Sequence, residues 1–103
     1  LDDLTGSLAR EFGPRGVRVV GVAPGPIWTE TWEEDLKREA RNLNQPIERV
    51  RAQTNQNIGA TTLLGRPGRM DEVAKAVGWL TSSGASFVSG TTLLVDGGFS
   101  AGV

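Results

Sequence analysis

The sequence predicts an α/β fold in which two parallel strands are joined through a helix-bearing crossover. Two short apolar runs rich in β-branched residues, GVRVVGV (Gly16 to Val22) and GTTLLVDGG (Gly90 to Gly98), are bounded by glycine or proline. That is the pattern of strands buried on both faces of a parallel sheet. Apolar residues at helical spacing precede each run, so the order is helix, strand, long polar excursion, helix, strand. A strand, a helix and a strand make a right-handed crossover unit, and two strands by themselves make a poor sheet.

Leu1, Leu4, Leu8 and Phe12 recur every three or four residues among charged neighbours, and Gly13 and Pro14 close that helix. No capping residue precedes Leu1, so the helix is expected to begin upstream. The first strand carries Arg18 near its entrance and runs into APGPIWT, a rigid loop. Between Thr31 and about Asn57 the chain turns polar. Trp32, Leu36, Ala40 and Leu43 share one helical face, Pro46 breaks the run, and Ile47 and Val50 belong to a second, short helix. LLGRPGR is expected to be a loop. Asp71 and Glu72 then open a helix, favourably against its dipole, with Val73, Val77 and Leu80 on the inner face. Gly84 is expected to end it after two serines, and Trp79 and Phe87 read as packing residues.

The 103 residues hold 11 Lys plus Arg against 12 Asp plus Glu, with neither sign gathered into a block, so no nucleic-acid groove or anionic membrane surface is expected. Cysteine and histidine are both absent, which removes disulfides, thiolate catalysis, imidazole bases and the usual zinc sites. No apolar run reaches membrane-spanning length and no signal peptide is evident, so the expected location is cytoplasmic. The expected partners are a small molecule or another chain.

In an open α/β sheet, ligands sit outside the carboxyl ends of the strands, where APGPIWT lies. Pro24 fixes the backbone, Gly25 leaves room for a close approach, and Pro26 stiffens the exit. The plain alternative is a rigid loop that leaves a strand, and these residue types leave both readings open. Thr29 suits a helix N-cap as well as it suits a ligand contact. Trp28, Trp32 and Leu36 are candidates to line a substrate pocket or, as a stripe at helical spacing, to pack the helix on the body. Asp96 reads as a turn residue rather than a catalytic acid. Glu33, Glu34, Asp35, Lys37, Arg38 and Glu39 read as a solvated face, and Arg66 and Arg69 as surface residues.

Four segments in order, LTGSLAREFGPRGVRV (Leu4 to Val19), APGPIWT (Ala23 to Thr29), GRPGRMDEVAKAVGWL (Gly65 to Leu80) and ASFVSGTTLLVDGG (Ala85 to Gly98), resemble the short-chain dehydrogenase/reductase family. The resemblance implies the carboxyl-terminal part of a Rossmann-like, doubly wound parallel sheet. On that basis residues 1–103 are part of a single dinucleotide-binding domain whose first half is absent. It implies that Pro24, Gly25, Ile27 and Thr29 close on the nicotinamide end of NAD or NADP, with main-chain groups of Ile27 and the Thr29 hydroxyl holding the carboxamide. Residues 30–64 then correspond to the substrate lid, bearing Trp28, Trp32 and Leu36 at or near its start. The partner implied is a small carbonyl or alcohol substrate, and the assembly a homo-oligomer. Val20 departs from a common Asn, and Met70 from a common Pro.

The glycine-rich pyrophosphate turn of that family has no counterpart here, nor has its catalytic Ser. Its Tyr-x-x-x-Lys pair is expected just upstream of Leu1, and this sequence contains no Tyr. The chain is therefore expected to be a truncated part of an oxidoreductase, inactive by itself. Two other classes stay open: a self-associating non-catalytic remnant, and a small ligand-binding module.

Overall fold

The computed structural model describes residues 2–101. They divide into two compact units, one of residues 2–24 and 71–95, the other of residues 25–70 and 96–101.

In the first unit, helix α1 (Asp2–Phe12) leads through a short 3-10 turn into strand β1 (Gly21–Pro24). The expected uncapped start at Leu1 lies outside the described residues. Helix α4 (Met70–Leu80), which this unit holds from Asp71 onward, comes later and precedes β4 (Thr92–Val95). β1 and β4 pair in parallel, with Gly21 opposite Thr92 and Pro24 opposite Val95. The first strand was expected over Gly16 to Val22, yet its ladder starts at Gly21. A strand needs a regular partner, and the residues opposite its first half include Gly90 at φ 77°. There the chain is held irregularly instead: Ser89 Oγ accepts the Val19 N–H at 3.0 Å, Val19 O accepts the Gly90 N–H at 2.8 Å, and Arg18 reaches Val88 O at 3.4 Å.

α4 carries Asp71 and Glu72 in its first turn as expected, but it ends at Leu80 rather than at Gly84. The Thr81 hydroxyl donates to Gly78 O at 2.9 Å and that of Ser82 to Trp79 O at 2.6 Å. These side chains occupy the last carbonyls, and the helix unwinds there. Thr5, Leu80 and Ala85 are buried. Val77, Trp79 and Phe87 were expected to pack, but they are exposed, Phe87 entirely. Neither β1 nor β4 has a fully buried residue. A sheet of two strands is too narrow to bury the apolar side chains of this unit, and several of them stay exposed.

In the second unit, strand β2 (Ile27–Trp28) is followed by α2 (Glu30–Leu43), α3 (Ile47–Gly59) and strand β3 (Gly68–Arg69). The sequence read both strand segments as loops. They pair in parallel, Ile27 with Gly68 and Trp28 with Arg69, a match between segments some forty positions apart that local composition does not announce. α2 stops before Pro46: Asn44 adopts φ 52°, and its N–H bonds to Ala40 O and Arg41 O. Asparagine tolerates this left-handed cap. Leu36, Ala40 and Val50 form the core of the α2–α3 pair, with Trp28 and Ile47 packed against it. Among the described residues, no helix is long and apolar enough to cross a membrane.

Candidate functional site

Pro24 ends β1 in the first unit, and the expected ligand loop, Gly25 to Thr29, belongs to the second. Gly25 already has a close neighbour: a Cβ built there would lie 2.6 Å from Asp96 Cβ and 2.8 Å from Asp96 Cα. No real Cβ tolerates such distances, so glycine is required for the approach of Asp96. On the side where Gly25 lacks a side chain, it is Asp96 that makes the close approach.

Pro26 O accepts the Gly68 N–H at 2.9 Å. Main-chain groups alternate sides along a strand, so when Pro26 turns its carbonyl toward β3, Ile27 turns both its N–H and its C=O away. One donor and one acceptor from the same residue thus project on the side opposite the ladder.

Thr29 caps α2 in extended geometry, its Oγ1 accepting the Trp32 N–H at 3.2 Å. That bond occupies a lone pair and leaves the hydroxyl proton available to donate. Capping and ligand contact, alternatives in the sequence, are compatible at one atom.

Of the three apolar lid residues, Leu36 is 2% exposed and lies inside the α2–α3 core, so it lines no pocket. Trp28 and Trp32 are half-buried, with ring centroids 4.8 Å apart and planes tilted by 38°. The Trp28 indole Nε1–H donates to Glu33 Oε1 at 2.6 Å. Arg51 grips the same carboxylate with two nitrogens, Nη2 to Oε2 at 2.6 Å and Nε to Oε1 at 3.3 Å. Hydrogen bonding from Arg51, then from Trp28, holds the Glu33 pKa below the ordinary glutamate value. Glu33 is therefore not part of the solvated face to which its position among charged neighbours assigned it. Its spacing from Trp28 offered a faint signal; its partner on α3 offered none. Lys37 and Arg38 do form exposed pairs one helical turn back, with Glu34 and Asp35.

Asp96 is a turn residue, as expected. Its Oδ1 accepts the Gly98 N–H at 3.0 Å and its Oδ2 the Ser100 N–H at 2.9 Å. Arg66 and Arg69 are exposed, and both make interactions within the protein. No cluster of metal-ligating side chains occurs among the described residues.

The family model described as enoyl-(acyl carrier protein) reductase matches residues 1–100. The 3-oxoacyl-(acyl-carrier-protein) reductase FabG of Pseudomonas aeruginosa is 41% identical over 98 residues, which cover 95% of this chain and 34% of that protein. A short-chain dehydrogenase family protein from Francisella tularensis superposes with a TM-score of 0.78 at 25% identity, over 97% of this chain and 40% of that one. A 4-hydroxyisoleucine dehydrogenase, solved in complex with NADH and succinate, superposes with a TM-score of 0.69 at 26% identity, over 98% of this chain and 35% of that one. The chain thus spans about a third of the length of such relatives. Matched over nearly its full length in sequence and in Rossmann-like parallel architecture, the chain belongs to the short-chain dehydrogenase/reductase family.

Proposed function

We propose that this chain is the carboxyl-terminal portion of an NAD(P)-dependent oxidoreductase that moves hydride between a nicotinamide and a small carbonyl or alcohol substrate. In this reading residues 1–103 complete one dinucleotide-binding domain, Pro24, Gly25, Ile27 and Thr29 hold the nicotinamide end, and residues 30–64 form the substrate lid. The observation that carries it is the outward donor and acceptor of Ile27 beside the Thr29 hydroxyl. A carboxamide needs an acceptor for its N–H and donors for its oxygen, and these groups match that need. The NADH bound to the 4-hydroxyisoleucine dehydrogenase supports the same cofactor class.

Bound nicotinamide supplies the hydride; this chain's residues orient it. A carboxamide held at Ile27 and Thr29 fixes which ring face meets the substrate. Trp28 and Trp32 stand together at the start of the lid, with the indole N–H of Trp28 committed to Glu33. No residue here supplies the proton that accompanies hydride, since the sequence has no Tyr. That role falls to a Tyr-x-x-x-Lys pair upstream, so this chain alone should not turn over.

Two measurements test the reading. Purified chain mixed with NADH or NADPH and a panel of ketones should consume no reduced cofactor; consumption that scales with chain concentration would refute the assignment of the proton donor elsewhere. Nicotinamide mononucleotide should shift the amide resonances of Ile27, Trp28 and Thr29, whereas AMP should not. Equal perturbation by both would remove the nicotinamide assignment.

Self-association is a second reading, favoured by the exposed Phe87, Trp79 and Leu94 of the first unit. A sedimentation mass that rises with concentration supports it, and a constant monomer mass excludes it.

A further inference from the structure

We propose that Asp96 is a positioning residue for the nicotinamide-holding loop, because the turn it folds anchors both the entrance and the exit of the lid segment; this rests on the reading of residues 24–29 given above. The turn is built by its own side chain. Asp96 ties Gly98 and Ser100 through separate carboxylate oxygens, and its carbonyl accepts the Phe99 N–H at 3.0 Å. Gly97 and Gly98 adopt φ 59° and 89°, the left-handed region that glycine enters without strain. The Ser100 hydroxyl and the backbone N–H groups of Ser100 and Gly98 keep the carboxyl below its ordinary pKa, so the turn is held by a charged acceptor.

The folded turn has two working sides. On one, Asp96 fills the space that Gly25 leaves by having no side chain, which sets where the loop entering the lid begins. On the other, Gly97 O accepts the Leu64 N–H at 3.0 Å, and a Cβ on Gly98 would meet Leu63 atoms at 2.7–2.8 Å. Thr62, Leu63 and Leu64 are where the chain leaves α3. Thr62, 4% exposed, extends this hold toward Arg66: its Oγ1 accepts the Arg66 N–H at 3.1 Å and donates to Arg66 O at 3.0 Å. Two glycine contacts and one backbone bond thus fasten both ends of a segment of some forty residues to one five-residue turn.

The proposal requires the two sides to communicate through Asp96, and amide hydrogen exchange on this chain reads that directly. Two amides serve as probes: Leu64, bonded to Gly97 O, and Gly68, bonded to Pro26 O. Asp96→Ala should speed exchange at both by about tenfold, the scale of a lost net hydrogen-bond contribution, and leave the Gln45 amide in the α2 cap unchanged. Asp96→Asn keeps an acceptor for Gly98 and should restore part of the protection. Gly25→Ala should speed exchange at Leu64, which Gly25 does not contact, because the new Cβ must displace Asp96. Acceleration at Leu64 alone in Asp96→Ala, or an unaltered Leu64 in Gly25→Ala, would overturn the proposal whatever the loop binds. In the full-length oxidoreductase, Asp96→Ala should raise the cofactor KM about tenfold with kcat within about twofold. If the exchange results hold while KM is unmoved, the turn positions the loop and the nicotinamide reading is what fails.

Discussion

Arg51 and Glu33, eighteen positions apart, meet in a two-point ion pair that joins α3 to the start of α2, with the shorter contact at 2.6 Å. The same carboxylate holds the Trp28 indole, so one side chain links β2, α2 and α3. Side chains of Arg51 and Glu33 are 36% and 29% exposed, which screens the charge but leaves the fork geometry to orient the helices.

Acid should therefore loosen the lid pair. The Glu33 pKa is lowered in the folded chain, so its contribution is fully present above the ordinary glutamate range and is lost as pH falls through the lower folded value. In a Trp79→Phe background, emission from Trp28 and Trp32 should change across that acidic window. Glu33→Gln should abolish the transition. A transition that persists in Glu33→Gln would assign it to another carboxylate, with Asp96 the first candidate, since its pKa is also lowered.

Leu36→Ala should destabilise the second unit by about 2–4 kcal/mol, because it empties a site that is 2% exposed between Ala40 and Val50. Urea titration of the tryptophan signal would measure it. A loss below about 1 kcal/mol would mean that the helices collapse around the gap.

Thr92 Oγ1 is buried and has no hydrogen-bond partner among the described residues, and it lies beside the position where a Gly21 side chain would sit. Thr92→Val keeps the shape and removes the orphan hydroxyl, so it should raise stability by about 1 kcal/mol. Gly21→Ala should do the reverse, since its Cβ would fall 2.8 Å from Thr92 Oγ1 and 3.0 Å from Thr5 Oγ1. We expect a loss of about 1–3 kcal/mol in denaturant unfolding.

Thr29 combines a cap with a free hydroxyl proton, and substitutions should separate them. Thr29→Ala should cost about 1 kcal/mol and remove the response of the loop to nicotinamide mononucleotide. Thr29→Asp should keep the cap's stability yet still lose that response, because a carboxylate accepts without donating. An unchanged response in Thr29→Asp would show that the hydroxyl does not touch the ligand.

The helices were legible in the sequence because their causes are local. Apolar spacing, Asp71 and Glu72 in a first turn, and Thr29 ahead of Glu30 act within a few residues of where they stand. So was the pairing of two parallel strands, since β-branched runs closed by glycine and proline permit little else. The family was legible from four motifs in order. What only the tertiary structure decided depends on residues that are distant in sequence. Gly25 shows in the sequence that something comes close, but not that it is Asp96. Glu33 looks like its charged neighbours until Arg51 arrives on another helix. The ladder begins at Gly21 because β4 begins at Thr92, and Ile27 turns its main chain outward because Gly68 lies on its other side. Periodicity encodes what a residue can do alone; which atoms it meets is set when the folded chain closes the distance between partners.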